Sequence, residues 1–321
     1  MIANVRLVSF GLWTAALAGA LWGQGDSELQ EHITRAKQIA GDQWAQAADY
    51  FCAEAAMPNR PTDPAIEPTR LFDQLSVIGS VGTALYVLET SDGLVLIDAG
   101  YPDQVETVLL PGIQALGLDP VKVRAVIVLH GHSDHFGAAR YFQDNFGASV
   151  YLGAEDWDLL DAPAAAKGKS KGPPVLPPRR DRMVGDQQPI KIGDTSILPV
   201  LVPGHTKGSL ALIFPVTDHG EPHIAGIFGG SVLSAGFVTA EGLAEYVDSV
   251  RKYTKIAAEQ HVDVEIQNHP LMDGFAERLN LLRQRGPRDP NPFVVGEDAY
   301  ARFLGVMAEC GEAQLIRKAG R

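Results

Sequence analysis

Short apolar runs separated by turn residues dominate the chain from residue 75 onward. The runs at 75–78, 83–88 and 94–97 are divided by glycines and by a Ser-Asp-Gly turn, which predicts an antiparallel meander of strands. The next run, 123–129, is apolar except for Arg124 and is typical of a strand buried on both faces. The first half of the chain therefore begins as a β-sheet with at least one buried strand.

Further apolar runs and helical stripes alternate through the rest of the chain. Strands are predicted at 148–152, 190–192, 197–202, 210–214, 224–228 and 262–266. Helices are predicted at 28–56, 103–116, 137–146, 240–259, 274–284 and 297–317. Strands followed by mixed strands and helices occur on each side of a Pro-rich loop at 162–182, so two similar αβ halves with facing sheets are one natural solution.

The N-terminus has the features of a secretory signal. Arg6 precedes an apolar stretch at 7–21, and Ala18-Gly19-Ala20 resembles a cleavage site, which predicts a signal peptide over residues 1–20. A membrane anchor is the alternative, but about fifteen apolar residues are short for a span. Cleavage predicts a periplasmic or secreted protein without a stable membrane anchor.

The net charge of the chain indicates which classes of partner are expected. The chain has 39 acidic against 27 basic residues and a formal net charge of -12, which disfavours binding to nucleic acid and favours a small-molecule substrate. The loop 162–182 is an exception because it carries six basic residues. These are Lys167, Lys169, Lys171, Arg179, Arg180 and Arg182. The loop is either a solvated linker or a cationic border that attracts an anionic substrate.

The sequence contains two cysteines, Cys52 and Cys310. Two sulfurs alone cannot close a zinc site, and their spacing is not that of a zinc knuckle. In an oxidising compartment they could form one disulfide between the N-terminal segment and the last helix. Two buried thiols are the alternative.

The strongest chemical signal follows the buried run at 123–129. His130-Gly131-His132-Ser133-Asp134-His135 places three imidazoles and one carboxylate on a predicted strand-to-helix turn. Imidazole nitrogen and carboxylate oxygen are ligands that zinc prefers. A polar loop with unrelated histidines is the alternative, but the density of ligand types favours a metal site.

Two more histidines follow predicted strands. His205 lies in Val-Pro-Gly-His-Thr after the strand at 197–202, and His269 lies in Asn-His-Pro after the strand at 262–266. Each alone would more often be an ordinary turn or surface residue. Together with the first cluster they make six ligands, which are too many for one tetrahedral zinc. Divided three and three, they leave each metal an open position for water.

These motifs resemble those of the metallo-β-lactamase superfamily. H-x-H-x-D-H, P-G-H-T-x-G-S and a last strand-end histidine occur here in the order found in that family, and Leu96-Ile97-Asp98-Ala99-Gly100 resembles its early strand. The resemblance implies an α/β fold, an αββα sandwich of two mixed β-sheets with helices on the outer faces. It implies a first metal held by His130, His132 and His205, and a second held by Asp134, His135 and His269. It divides the chain into a signal peptide at 1–20, an N-terminal helix and linker at 21–69, and a hydrolase domain at 70–321.

The segment at 227–236 indicates which branch of the family the chain resembles. Glyoxalase-II-like members carry a bridging Asp near residue 230, and two β-lactamase subclasses carry a Cys there, whereas residues 227–236 contain neither. The segment resembles the third subclass of class B β-lactamases, in which both metals are zinc, or a close uncharacterised branch. That likeness makes Ser231 and Ser234 candidate substrate-binding residues. Lys207 departs from the pattern, because a Pro often stands at its place.

The resemblance implies a zinc-dependent hydrolase in which a hydroxide held by two zinc ions attacks the substrate, with a β-lactam ring as the first expectation. Asp134 is the candidate catalytic residue, able to orient the nucleophile or accept its proton. Asp98 could hold a ligand histidine or be an ordinary turn residue. Hydrolysis of a lactone, thioester or other ester is the alternative, and a zinc-binding protein without turnover is a third reading. The oligomeric state stays open.

Overall fold

The computed structural model describes residues 13–53, 63–162, 175–233 and 238–320. Two β-sheets pack face to face, and helices cover their outer faces. This arrangement confirms the predicted αββα sandwich. Each sheet combines antiparallel and parallel pairing, as a mixed sheet requires.

The first sheet has seven strands in chain order. Its second to fourth strands form the predicted antiparallel meander, β1 adds an unpredicted antiparallel neighbour, and the last four strands are parallel to one another. The strands are β1 (Thr69–Arg70), β2 (Leu75–Gly79), β3 (Ala84–Thr90), β4 (Gly93–Ile97), β5 (Val123–Ile127), β6 (Ser149–Gly153) and β7 (Arg182–Val184). Strand β5 is central and almost wholly buried, which is why its sequence is nearly continuously apolar.

The second sheet has five strands in the order β12, β11, β10, β9, β8. The pairs β8–β9, β9–β10 and β10–β11 are antiparallel, and β11–β12 is parallel. The strands are β8 (Ile190–Ile192), β9 (Thr195–Leu201), β10 (Leu210–Asp218), β11 (Glu221–Phe228) and β12 (Val264–Ile266). Strands β9, β11 and β12 consequently run in one direction, so their carboxyl ends lie at one edge of the sheet.

Helices flank both sheets. They are α1 (Trp13–Ala40), α2 (Ala45–Phe51), α3 (Leu110–Ala115), α4 (Ser133–Phe136), α5 (Ala139–Phe146), α6 (Ala154–Asp161), α7 (Ala240–Glu259), α8 (Phe275–Gln284) and α9 (Glu297–Ala319). One apolar core lies between the sheets, one lies under α3, α5 and α6, and one lies under α1, α2, α7 and α9. Helices α1 and α2 therefore share a core with the second half of the chain.

Two predicted helices differ from the structure. The helix expected at 28–56 is divided into α1 and α2, because Gly41 has a φ of +54° and residues 41–44 form turns. The end of that prediction, 54–56, lies outside the described residues. The helix expected at 103–116 is a 3-10 turn, a π-helical turn and then α3, since Pro111 has no N–H for a regular helix.

The predicted disulfide is confirmed. Cys52, directly after α2, is bonded to Cys310 in α9, 258 residues away in the chain. Trp44 is buried beside this connection, and its indole nitrogen donates to the carbonyl oxygen of Ala299 at 2.8 Å. The bond therefore fastens the N-terminal helices to the last helix.

A helix that crosses a membrane must be long and predominantly apolar. Within residues 13–53, 63–162, 175–233 and 238–320, no helix has the length and apolarity needed to cross a bilayer. The predicted signal peptide lies partly outside the described residues, which begin at Trp13, so its cleavage stays a prediction.

Candidate metal centre

Three chain segments meet at one edge of the sandwich. The segment His130–His135 follows β5 and leads into α4, whose first residue is Ser133. His205 follows β9 and His269 follows β12, and the common direction of β9 and β12 brings both to the same edge. The structure thus brings together all six residues that the resemblance implies as ligands.

The first triple consists of His130, His132 and His205, whose ligand atoms lie within 4.8 Å of one another. His205 Nε2 is 3.0 Å from His132 Nδ1. His130 is fully buried, and neither of its ring nitrogens has a hydrogen-bond partner among the described residues. A buried polar atom without a partner is costly, so an additional group at this point would stabilise the ring.

The second triple consists of Asp134, His135 and His269, again with ligand atoms within 4.8 Å of one another. The Nε2 atoms of His135 and His269 are 3.0 Å apart, and Asp134 Oδ2 is 3.4 Å from His135 Nε2 and 3.7 Å from His269 Nε2. The rings of His130 and His135 have centroids 3.8 Å apart. The two triples are therefore immediate neighbours.

Three of the histidine rings are oriented by hydrogen bonds on the side away from the triples. Each donates its Nδ1 hydrogen to a fixed oxygen: His205 to Val232 O at 2.8 Å, His135 to Asp98 Oδ2 at 2.7 Å and His269 to Gly82 O at 2.6 Å. This tautomer leaves the Nε2 lone pairs directed into the triples. Metal-binding histidines are held in this way, so the donor set fits zinc.

The pKa values of the ligand residues are shifted differently in the two triples. Burial lowers the pKa of His205 to about 3, and burial with the neighbouring histidines lowers the pKa of His130, so these rings stay neutral as metal binding requires. Burial also opposes charge on His135, but Asp134 and Asp98 together raise its pKa to about 10, so this ring must lose its Nε2 proton when a metal binds. Burial would raise the pKa of Asp134, and the two nearby histidines lower it instead. The second triple therefore carries carboxylate charge that the first lacks.

Asp98 connects the second triple to β5. Its Oδ1 accepts from Leu129 N at 2.7 Å, and its Oδ2 accepts from His135 and, at 3.2 Å, from Asn268 Nδ2. The residue has a φ of +62°, a strained conformation for a side chain other than glycine. Of the two roles considered from the sequence, Asp98 has the contacts of a residue that orients a ligand.

A family comparison agrees with this geometry. Residues 78–218 match the family model described as the metallo-β-lactamase superfamily. This part of the chain is therefore similar to that superfamily.

Individual relatives are distant. The chain is 23% identical over 222 residues to the probable metallo-hydrolase YqgX of Bacillus subtilis, covering 68% of this chain and 95% of YqgX. It is 30% identical over 142 residues to a hydroxyacylglutathione hydrolase of Gloeothece citriformis, covering 44% of this chain and 45% of that protein. The matched region thus spans about half the length of the hydroxyacylglutathione hydrolase. These comparisons indicate a hydrolase.

Solved structures show the same fold. The subclass B3 metallo-β-lactamase BJP-1 of Bradyrhizobium japonicum superposes with a TM-score of 0.66 and 23% identity, covering 88% of this chain and 98% of BJP-1. The metallo-β-lactamase FEZ-1 of Legionella gormanii superposes with a TM-score of 0.69 and 20% identity. At these identities the likeness shows only a shared architecture. The superposition extends over nearly the full length of both solved proteins.

The two candidate substrate-binding serines are placed differently from the ligands. Ser231 is fully buried, and its hydroxyl has no partner within the described parts of the chain. Its side chain is therefore not accessible to a substrate from solvent. Ser234 lies outside the described residues. Lys207, which departs from the superfamily pattern, is exposed and pairs with Glu241 at 3.0 Å and Glu245 at 2.6 Å.

The described part of the basic loop does not present free cations to the metal centre. Arg179 pairs with Asp144 on α5, and Arg180 pairs with Asp158 and Asp161 on α6. Arg180 thus has two carboxylate partners, whereas Arg179 shares Asp144 with Arg140, and both guanidinium groups are engaged in ion pairs. The lysines of the loop, at 167, 169 and 171, lie outside the described residues.

Asp156 was not identified from the sequence. It is 1% exposed on α6, and its carboxylate accepts hydrogen bonds from the loops that carry the first triple. The two sequence signals that accompany it are the glycines Gly131 and Gly208, one beside each ligand motif. Neither glycine identifies its partner, because that partner is distant in the chain.

Proposed function

We propose that the chain is a zinc-dependent hydrolase that holds two zinc ions and opens β-lactam rings. One observation carries this proposal: six ligand residues form two adjacent triples whose rings are already oriented by hydrogen bonds. Such preorganisation is what a catalytic metal site requires and what a loose histidine cluster lacks.

The ligand residues would have separate tasks. Zinc bound at the two triples would supply the Lewis acidity that polarises a carbonyl and makes a water molecule acidic. The neutral rings of the first triple would leave most of the metal charge uncompensated. Asp134 is an ionised carboxylate whose side chain is 21% exposed, so one of its oxygens would remain accessible to orient a water molecule held by the metals. Asp98 would keep His135 in the tautomer that binds metal.

The β-lactam assignment is supported by two features. Structural neighbours whose superposition covers most of this chain include subclass B3 metallo-β-lactamases. In addition, the sequence places Ser231 where glyoxalase-II-like members are expected to carry a bridging Asp. The relationship to hydroxyacylglutathione hydrolases favours a second candidate, hydrolysis of a thioester, lactone or other ester.

A substrate panel on zinc-loaded protein separates these candidates. We expect zinc-dependent hydrolysis of a chromogenic cephalosporin, abolished in His132→Ala. Turnover of hydroxyacylglutathione or a homoserine lactone without cephalosporin hydrolysis would support the second candidate. Zinc binding with no turnover of any of them would contradict both and favour a zinc-binding protein.

We further propose a periplasmic or secreted location and a small anionic substrate. The Cys52–Cys310 disulfide supports an oxidising compartment, and the net charge of -12 argues against a nucleic-acid partner. Mass spectrometry of the mature protein from a fractionated expression host tests the location. A cytoplasmic protein with an intact N-terminus would contradict it.

A further inference from the structure

One buried carboxylate joins the two loops of the first triple. Asp156 lies in the first turn of α6 and is 1% exposed. The loop after β5 supplies His130 and His132, and the loop between β9 and β10 supplies His205. Those strands belong to different sheets, so the geometry of the triple depends on how the sheets are held together at this edge.

Three donors converge on Asp156. Its Oδ2 accepts from Gly131 N and from Thr206 Oγ1, both at 2.7 Å, and its Oδ1 accepts from Gly208 N at 2.9 Å. Gly131 lies between His130 and His132 in the chain, and Thr206 directly follows His205. Both oxygens are therefore used, and each of the two ligand loops is fastened beside its histidine.

The packing around this carboxylate is equally specific. A Cβ added to Gly208 would lie 2.6 Å from Asp156 N and 2.7 Å from Asp156 Cγ. A Cβ added to Gly131 would lie 3.2 Å from Leu159 Cδ2 and 3.3 Å from Asp156 Cβ and Cγ. Neither residue has a positive φ that would require glycine. Lack of space beside Asp156 therefore explains the glycine at 208, whereas Gly131 is less severely crowded.

We propose that Asp156 is a positioning residue that sets the affinity of the first triple for its metal while leaving the second triple unaffected. The proposal rests on the proposed function, because it takes the triples as zinc sites. Asp98 has the corresponding position at the second triple, through its contact with His135. Each triple would then have its own buried carboxylate, and the two affinities would be separable.

The informative substitution is Asp156→Asn. Asparagine keeps the shape of the side chain but replaces one acceptor oxygen with an NH₂ group. Whichever way the amide is oriented, that NH₂ faces a backbone N–H, either at Gly208 or at Gly131. One backbone donor consequently loses its acceptor, which weakens the attachment of the loop that carries it. Asp158→Asn, on the same helix but exposed and paired with Arg180, is the matched control.

Zinc affinity is measured separately for each triple. His269→Ala removes a ligand from the second triple, so a zinc titration of that variant against a chromophoric chelator measures the zinc affinity of the first triple. His205→Ala removes a ligand from the first triple, so the same titration measures the affinity of the second. We expect Asp156→Asn to weaken zinc binding about 10- to 100-fold in the first background and less than about threefold in the second, with Asp98→Asn showing the reverse pattern. Asp158→Asn should change neither affinity.

Several outcomes would overturn the inference. Equal losses in both backgrounds, or a lower melting temperature of the metal-free protein with unchanged zinc affinity, would make Asp156 merely structural. If Asp156→Asn does not fold, Thr206→Val removes only one of the three donors and should still weaken the first triple selectively. A wild-type chain that binds no zinc would overturn the proposed function as well, whereas two tightly bound zinc ions with no Asp156 effect would overturn the inference alone.

Discussion

A buried arginine fastens the loop that carries His269, and replacing it is the most demanding stability test of the structure. Arg278 Nη2 contacts Glu265 Oε2 at 2.5 Å and Asp273 Oδ2 at 2.8 Å, and its Nη1 donates to the carbonyl oxygen of Glu265 at 2.9 Å. Glu265 precedes the loop and Asp273 follows it. Arg278 therefore joins both ends of the segment that supplies a metal ligand.

The expected magnitude follows from burial. The side chains of Glu265 and Asp273 are fully buried, and that of Arg278 is 10% exposed. Arg278→Met fills a similar volume but leaves two carboxyl groups without their cation. Breaking a buried ion pair in this way typically costs about 3–5 kcal/mol, so we expect the free energy of unfolding to fall by this amount near neutral pH.

The loss should depend on pH in a defined direction. Burial raises the pKa of Glu265 to about 7 from a reference value of 4.5, although Arg278 lowers it. The folded state then holds more protons than the unfolded state between these values, so the stability contributed by Glu265 falls as pH rises through this window, by up to about 3 kcal/mol. Without Arg278 the pKa rises further. The deficit of Arg278→Met is therefore expected to be larger at pH 8 than at pH 5.

Urea denaturation at pH 5 and pH 8 measures both effects. Arg283→Met is the control, because Arg283 lies on the same helix and donates to Thr69 Oγ1 at 2.8 Å from an exposed position. We expect that variant to lose less than about 1 kcal/mol at either pH. A loss of similar size in both variants, or a deficit in Arg278→Met that does not change with pH, would refute the reasoning.

Three further predictions concern the metals, the disulfide and the basic loop. Elemental analysis should find about two zinc ions in the wild-type chain and about one in His269→Ala, and full activity with a single zinc would contradict the two-triple arrangement. Replacing Cys52 and Cys310 with serine should lower the free energy of unfolding by about 2–5 kcal/mol in urea, since the enclosed loop is long; an unchanged midpoint would contradict this. Reversing Arg179 and Arg180 to Glu should change kcat/KM by less than about twofold, because both guanidinium groups are already engaged in ion pairs with acidic side chains. A larger, salt-sensitive loss confined to anionic substrates would support a steering role.

Local patterns in the sequence determined the ligand set and the type of fold. Three imidazoles and a carboxylate within six residues are a local feature, and the chemistry of these groups does not depend on the path of the chain. Apolar runs bounded by turn residues likewise predicted most strands, since burial on both faces requires continuous apolar sequence. The alternation of strands and helices made two facing sheets one natural solution, and the resemblance of the motifs to a known family implied the αββα sandwich, which the structure confirms.

Tertiary structure alone decided which distant groups support those ligands. Asp98 contacts His135 across 37 positions, and Asp156 joins two loops from different sheets. The break between α1 and α2 and the burial of Ser231 were also not evident from local pattern. The physical reason is that a ligand is recognised by its own side chain, whereas a supporting carboxylate is defined by the donors that the folded chain brings to it.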